Sequence, residues 1–275
     1  MEDFSLINGE GTPLHEAQQV MLDILLEFDR VCKKHNLTYW IDFGTLLGAV
    51  RHQGFVPWDD DIDVSMPTQD FRRFQELGAQ ELQEGFFLQN EKTDPGSDMS
   101  GGIFKIRKDN TFFVNDFDNF RRDYHKGIAI DVFESVPYPT LPKKTFHFIR
   151  RRIQKSYGFF RYNPPLNFKN ICCYFIYPIS NVIFAGLWKL ICKIKKNDRE
   201  LTPINRLIYG YPSLQSAIYP VGEIEFCGHK VPCPHDPDTR LRDMYGDYMQ
   251  LPPKDKWRVH SKFICTDTHP FHTDL

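Results

Sequence analysis

The chain has 275 residues, of which 41% are hydrophobic and 15% aromatic, so it can bury a substantial core and does not belong to the disordered class. Its seven cysteines lack framework spacing and fit reduced thiols, and its acidic start contains no visible signal peptide, so we expect a cytoplasmic protein. The formal net charge is −2, and outside one basic segment the acidic excess would repel phosphate, which argues against a nucleic-acid partner.

The first predicted element is a helix, opened by Thr12 and Pro13 as cap and first-turn residues, with apolar residues at helical spacing as far as Val31. We expect this helix to pack on a sheet. The elements that follow in chain order are a strand over 38–43 that ends at Gly44, a short helix to about residue 52, a strand around 61–64, a helix from Pro67 to about residue 83, a hairpin of 102–108 with 111–114, a central strand over 127–134, a helical region over 142–196, a hairpin over 224–231 and a helix over 237–245.

The densest cluster of acidic residues lies at 59–63, where four of the five residues are aspartate. Residues two apart on a strand share a face, so we expect Asp61 and Asp63 to point the same way while Ile62 and Val64 enter the core. Paired carboxylates are ligands for Mg²⁺, with Mn²⁺ as an alternative, at sites of phosphoryl transfer. The other interpretation is a solvated acidic turn, which does not explain why apolar residues alternate with the last two aspartates.

A third carboxylate, Asp131, lies within the apolar sequence Ile-Ala-Ile-Asp-Val-Phe. An apolar strand does not tolerate an unpaired charge, so Asp131 needs a partner. It could bind a second metal ion or accept the proton of an attacking hydroxyl. The alternative is a buried aspartate that pairs with an arginine or caps a turn.

Phosphate also needs donors and positive charge. The Gly44-Thr45 turn at a helix start offers free N–H groups and the positive end of the helix dipole. Lys105 and Arg107 share one strand face, and Arg51 lies in the short helix after the turn. For Arg51, a salt bridge to the aspartate cluster is an equally good interpretation.

Together these motifs resemble the LicD/fukutin family, whose members look like nucleotidyltransferases of the DNA polymerase beta superfamily. The resemblance rests on Gly-Thr-Leu-Leu-Gly-Ala-Val-Arg-His from Gly44, on Pro-Trp-Asp-Asp-Asp-Ile-Asp from Pro57, and on blocks at 104–107, 127–133 and 245–253 with His260. It spans about residues 14–135 and 219–260. It implies an α/β (α+β) fold, a mixed sheet flanked by helices, with an additional helical region that is basic and aromatic.

The resemblance also implies a site. Asp61, Asp63 and Asp131 would be the catalytic and metal-binding carboxylates for two magnesium ions. The expected substrate-binding residues are Gly44, Thr45, Arg51, Lys105, Arg107 and His260. His260 has a family counterpart, and a purely structural hydrogen bond is its alternative role.

LicD-type members resemble one another in moving phosphocholine from CDP-choline to a sugar hydroxyl of a teichoic acid, capsule or lipopolysaccharide, or of its lipid-linked precursor, with release of CMP. The chain would then be a transferase for substituted phosphate groups. The family's other branch implies a CDP-linked ribitol or glycerol phosphate as the alternative donor. Two further hypotheses are a non-catalytic glycan-assembly protein and a template-independent nucleotidyltransferase acting on RNA.

Charge is strongly segregated along the chain. Residues 143–196 contain twelve of the 34 Lys and Arg, twelve aromatic residues and no acid, which leaves 22 basic against 36 acidic residues elsewhere. Such a segment favours contact with an anionic membrane, and hence a peripheral cytoplasmic protein at the inner face of the cell membrane. The uncharged run 170–188 could span the bilayer, lie at its interface or in a hydrophobic groove, or form a buried core helix. We predict a catalytic core over 1–141, a basic helical insertion over 142–200, and a C-terminal part over 201–275 that completes the catalytic domain.

Overall fold

The computed structural model describes residues 4–97, 102–115, 118, 120–161, 165, 167–204 and 207–268. The helices are α1 (Ser5–Asn8), α2 (Pro13–His35), α3 (Phe43–His52), α4 (Thr68–Glu81), α5 (Lys143–Arg161), α6 (Phe168–Ile194), α7 (Gln215–Ile218) and α8 (Pro237–Tyr245). The strands are β1 (Trp40–Ile41), β2 (Asp63–Pro67), β3 (Phe86–Gln89), β4 (Ile103–Lys108), β5 (Phe112–Asn115), β6 (Ala129–Pro139), β7 (Asn197–Ile204), β8 (Leu207–Leu214), β9 (Gly222–Phe226), β10 (His229–Cys233) and β11 (Ser261–Cys265).

A mixed sheet forms the centre of the fold, in the order β1-β2-β6-β4-β3. The long strand β6 runs parallel to β2 and antiparallel to β4, and its second half pairs with β7, which in turn pairs with β8. Helices α2 and α4 contact this sheet. The predicted fold class, a mixed sheet flanked by helices, is therefore confirmed, and so is the central position of the strand that carries Asp131.

Helix α2 begins where the sequence predicts. The hydroxyl of Thr12 accepts a hydrogen bond from the backbone N–H of His15, and Pro13 is the first helical residue. The apolar face of α2 joins the main core, to which Ile62, just before β2, and the strand residues Val64 and Ile130 also belong. This alternation leaves the other face of the same strands to polar side chains.

Two local predictions are wrong. The strand predicted over 38–43 contains only Trp40–Ile41, and Phe43 already belongs to α3, so Gly44 and Thr45 lie in the first turn of a helix. The predicted hairpin of 102–108 with 111–114 does not form, because β3 and β6 occupy both edges of β4. Strand β5 instead pairs with β11, near the other end of the chain.

Helices α5 and α6 pack against each other in antiparallel directions. Aromatic contacts pair Phe146 with Trp188 and Phe159 with Tyr174, so the order of the partners is reversed along the two helices. Their shared cluster is separate from the main core. No residue of α6 is buried, so the core-helix interpretation of 170–188 is wrong. By length and composition, α6 is the one helix among the described residues that could cross a membrane.

Candidate active site

Three polar side chains lie in one row across the central strands. The register places Asp63 of β2 opposite Asp131 of β6, and Asp131 opposite Lys105 of β4. The Lys105 ammonium contacts the Asp131 carboxylate at 2.5 Å, and both side chains keep some exposure to solvent. Since neighbouring strands are about 4.8 Å apart, the two carboxylates lie side by side on the face that is turned away from the core. The partner that Asp131 requires is thus a lysine of the same row, and neither an arginine nor a turn.

Asp61 reaches this row from a different position than expected. It lies just before β2, which begins at Asp63, so the strand predicted around 61–64 starts later than expected. Repulsion between the charges of Asp61 and Asp63 nevertheless shows that the two carboxylates lie near each other. Asp61 keeps an exposed surface, yet protein atoms crowd its carboxylate. Desolvation, with repulsion from Asp131 and Asp60, raises the pKa of Asp61 to about 6, while Lys105 and His260 act against this rise. The opposing effect of His260 indicates that it lies near the cluster.

Each of the other aspartates of the cluster has its own environment. Desolvation and the charges of Asp61 and Asp131 raise the pKa of Asp63 well above its usual range. Desolvation and repulsion from Asp61 and Asp60 raise the pKa of Asp59 to about 8. Asp60 is buried, and its carboxylate accepts a hydrogen bond from the backbone N–H of Ser261. The cluster therefore carries more negative charge than the protein around it compensates.

The first turn of α3 is bonded to this cluster. The hydroxyl of Thr45 accepts a hydrogen bond of 2.8 Å from the backbone N–H of Asp63, which links the helix start to the start of β2. At Gly44, an added Cβ would lie 2.5 Å from a carboxylate oxygen of Asp59. A larger residue at this position would therefore force the Asp59 carboxylate to move.

A buried ion pair supports the same turn, and sequence reasoning missed it. The carboxylate of Asp42, at the N-cap of α3, accepts two hydrogen bonds from the guanidinium of Arg240, at 3.0 and 2.8 Å, and a third from the hydroxyl of Ser65. Next to it, Phe43 has a φ of 48°, a left-handed conformation that is strained for a phenylalanine. An aspartate just before a short predicted helix was a usable N-cap signal. Nothing local pointed to Arg240, which is 198 residues away.

The predicted cationic residues differ in their availability. Lys105 lies in the row of carboxylates. Arg107 is buried, donates to the side chain of Gln89 and the carbonyl of Gly127, and has a pKa lowered by desolvation. Two of its nitrogens are thus already used within the protein. Its role in substrate binding stays a prediction that this burial does not favour.

Arg51 lines a pocket beside the cluster. Its guanidinium donates to the carbonyl of Tyr248 and to a ring nitrogen of His52. Burial and the charge of Arg51 lower the pKa of His52 to about 4, so this imidazole is neutral near pH 7 and can accept the hydrogen bond. Among the described residues, no salt bridge joins Arg51 to an aspartate.

The pocket has a volume of about 330 Å³ and follows one face of α3. Residues 44, 47 and 51 of that helix form one wall, from the first turn beside the aspartates toward the last turn. The remaining wall is aromatic, apolar and polar, and consists of Val56, Trp58, Asp59, Tyr245, Asp247, Tyr248, Gln250 and Pro252. Residues of the sequence block at 245–253 and Gly44 therefore line the same pocket, although they are far apart in the sequence.

The donor atoms of this site are of the kind that divalent cations prefer. Asp61, Asp63 and Asp131 offer only carboxylate oxygens, which are the ligands that Mg²⁺ prefers. Their crowding supports the assignment, because a cation would remove the repulsion that raises the pKa of Asp61 and Asp63. As the described residues are placed, no group of three or more carboxylate, histidine or cysteine side chains is already arranged around a metal position, so metal binding by these three aspartates stays a prediction.

Comparison with known proteins gives consistent relatives. Residues 36–191 match the model of the LicD/FKTN/FKRP nucleotidyltransferase domain. The chain is 28% identical to the lipopolysaccharide cholinephosphotransferase LicD of Haemophilus influenzae over 262 residues, which cover 90% of this chain and 95% of that protein. It is 23% identical to mouse ribitol 5-phosphate transferase FKRP over 179 residues, which cover 60% of this chain and 32% of that protein. An uncharacterized protein of Rickettsia typhi is 39% identical over 72 residues, covering 26% of this chain and 23% of that protein.

Proposed function

The chain belongs to the LicD/FKTN/FKRP nucleotidyltransferase-domain family and is an enzyme of the LicD phosphotransferase type, and from this premise we propose that it transfers phosphocholine from CDP-choline to a sugar hydroxyl with release of CMP. The acceptor would be a cell-surface glycan or its lipid-linked precursor. The observation that carries the proposal is the row formed by Asp63, Asp131 and Lys105 beside Asp61, because it combines a metal-binding set with a cation at one edge.

Bound Mg²⁺, in one or two ions on Asp61, Asp63 and Asp131, would neutralise the charge that develops on the donor's diphosphate. The chain's own groups would do the rest. The first turn of α3 would direct N–H groups and the positive end of the helix dipole at a phosphate. Lys105 would add a positive charge at the other end of the row and hold Asp131 in a fixed orientation.

In the transfer step, the acceptor's hydroxyl oxygen would form a bond to the phosphorus atom distal to cytidine, and the bond from that phosphorus to the CMP oxygen would break. The hydroxyl proton would pass to a carboxylate, for which we assign Asp131, because it is the partly exposed carboxylate in the middle of the row. CMP would leave as the second product, so the nucleotide is the leaving group and is not itself transferred.

We assign the pocket along α3 to the donor's head group. A quaternary ammonium binds to aromatic rings and carboxylates, and the pocket offers Trp58, Tyr245 and Asp247. Because the pocket extends to Gly44 in the first turn of α3, a head group bound there would lie close to a phosphate at the start of this helix. Arg51, the cation in the pocket wall, directs two of its nitrogens to the protein.

The second candidate is the transfer of a phospho-alditol such as ribitol phosphate, which the similarity to FKRP favours. The location we propose is the same for both donors. A lipid-linked acceptor would be presented at the inner face of the cell membrane, and the enzyme would work there as a peripheral cytoplasmic protein.

The test is to incubate the purified chain with CDP-choline, CDP-ribitol and CDP-glycerol and to follow CMP release with and without Mg²⁺. We expect release from CDP-choline to be fastest and to stop when EDTA is added. Faster release from CDP-ribitol would replace the first candidate by the second. Metal-independent release would contradict the role assigned to the carboxylates, and no release from any CDP donor in the presence of glycan acceptors would contradict both candidates.

A further inference from the structure

Helix α6 exposes an unusually large apolar surface. Ten large hydrophobic side chains of this helix are 39–85% exposed. Together they present on the order of 1,000 Å², whereas monomeric soluble proteins rarely expose contiguous apolar patches of more than a few hundred. Such a surface requires an occupant in the cell.

The exposed residues form one stripe. Residues such as Ile171, Phe175, Ile179 and Val182 recur three or four apart, so they share one side of the helix. The opposite side carries Trp188 and its neighbours, which pack on α5 and the cluster around it. The stripe is therefore an outer surface, and it runs about 40 Å along the 27-residue helix.

Positive charge lies on both helices of the pair, and on α6 itself Lys169, Lys189 and Lys193 are exposed. On α5, the inner residues Ile149 and Ile153 are buried, while Lys144, Arg151 and Lys155 are exposed. Arg152 also lies over the rings of Phe148 and Phe184, at the flank where α5 meets α6. Lysines stand near both ends of α6, and no acidic residue occurs between residues 143 and 196.

From these observations we infer that α6 lies in the plane of an anionic membrane, with its stripe embedded at the boundary between headgroups and acyl chains and with the lysines of α6 on the headgroups. Charge complementarity selects this occupant. A second copy of the chain would bring a surface of the same positive charge. A bilayer-spanning α6 would carry the helix packed on it, α5, into the hydrocarbon region together with the exposed cations Arg151 and Lys155.

The test is sedimentation of the full chain with vesicles of phosphatidylglycerol or of phosphatidylcholine at low salt. We expect the chain to pellet with the phosphatidylglycerol vesicles and to stay in solution with the phosphatidylcholine vesicles. Raising the salt concentration should release part of the bound chain from the phosphatidylglycerol vesicles. The decisive variants are Val182→Glu in the stripe and Asn181→Glu, which is about 100° around the helix from Val182 and outside the stripe. Both residues are exposed and both variants add one negative charge, so only the site of the charge differs. Val182→Glu should weaken binding about tenfold or more, and Asn181→Glu should change it less than threefold.

Several results would overturn the inference. The wild-type chain could fail to bind phosphatidylglycerol vesicles, or the two variants could lose vesicle binding to the same extent. Resistance of the membrane-bound chain to extraction with alkaline carbonate would indicate a spanning helix instead. Light scattering that shows a dimer dissociated by Val182→Glu would make a second copy the occupant. CMP release from soluble donor and acceptor should be unchanged in both variants, so failure here is separable from failure of the proposed chemistry.

Discussion

Replacing Asp63 by asparagine should stabilise the metal-free protein and abolish its activity. Asp63 and Asp131 lie in register on adjacent strands, about 5 Å apart, so two full charges at an effective dielectric of about 20 would repel by about 3 kcal/mol. Lys105 and the raised pKa of Asp63 reduce this repulsion. We expect Asp63→Asn to recover about 1–2 kcal/mol, which corresponds to a rise in Tm of about 2–6 °C.

The assay is thermal unfolding at pH 8 with EDTA and then with Mg²⁺, together with CMP release. Mg²⁺ should raise the Tm of the wild-type chain and leave that of Asp63→Asn unchanged, because the variant lacks a metal ligand. Turnover should fall roughly 100-fold or more, equivalent to about 2.7 kcal/mol of transition-state stabilisation. The control is Asp23→Asn, the same change at an exposed residue of α2, which should alter none of these quantities. A lower Tm for Asp63→Asn without metal, or near wild-type turnover, would refute the reasoning.

The remaining predictions concern pH, the row, the buried ion pair and the pocket. Because the folded-state pKa is raised to about 6 for Asp61, to about 8 for Asp59 and well above the usual value for Asp63, these carboxyls bind more protons in the folded than in the unfolded chain above about pH 4. Together they outweigh the opposite contribution of His52, whose pKa is lowered to about 4, so the free energy of unfolding without metal should fall as pH rises from about 4 to 6. Asp131→Asn should lower kcat more than it raises the Kd for the donor, as measured by titration calorimetry. Arg240→Ala should cost about 3–5 kcal/mol in urea unfolding, because it leaves a buried carboxylate unpaired, whereas Arg242→Ala on the exposed side of α8 should leave the free energy of unfolding nearly unchanged. Tyr245→Ala should raise KM for CDP-choline several-fold and change KM for CDP-ribitol little.

Each of these has an outcome that contradicts it. A metal-free stability that rises from pH 4 to 6 would mean that the carboxylates are not crowded in solution. A loss of Tm in Asp131→Asn without loss of rate per folded molecule would make this residue structural. Equal costs for Arg240→Ala and Arg242→Ala would remove the support assigned to the α3 turn. Equal effects of Tyr245→Ala on both donors would assign the pocket to the nucleoside, which the donors share.

Sequence predicted the parts of the site whose signals are local. The aspartate run and the apolar strand around Asp131 identified the carboxylates, and the cap at Thr12 located the start of α2. The family resemblance and the mixed fold are both confirmed. The roles of the individual residues stay predictions.

What the sequence did not predict depends on contacts between distant segments. The pairing of β5 with β11 could not be found from a local turn pattern, because both edges of β4 are filled by β3 and β6. Strands β7 and β8 were also not predicted. Strand β7 pairs with the second half of β6, which is separated from it by helices α5 and α6, and β8 pairs with β7. The partnership of Asp42 with Arg240 is of the same kind, because a buried pair has no periodicity that a single sequence can show.

The segregation of charge along the chain bears on both donor binding and access to a lipid-linked acceptor. The aspartate cluster proposed to bind the diphosphate adds to the acidic excess of the chain. Acidic residues are repelled by an anionic membrane, so a uniformly acidic chain would be kept away from a lipid-linked acceptor in that membrane. Here the excess of 36 acidic over 22 basic residues lies outside residues 143–196, and the cations of that segment lie on and around α5 and α6. Attraction at the helix pair and repulsion elsewhere would orient the chain, so that the helix pair contacts the membrane first. Exchanging the exposed cations of α5 for glutamine should therefore reduce turnover on a lipid-linked acceptor in vesicles while leaving turnover on a soluble acceptor unchanged, and equal losses on both acceptors would contradict this orientation.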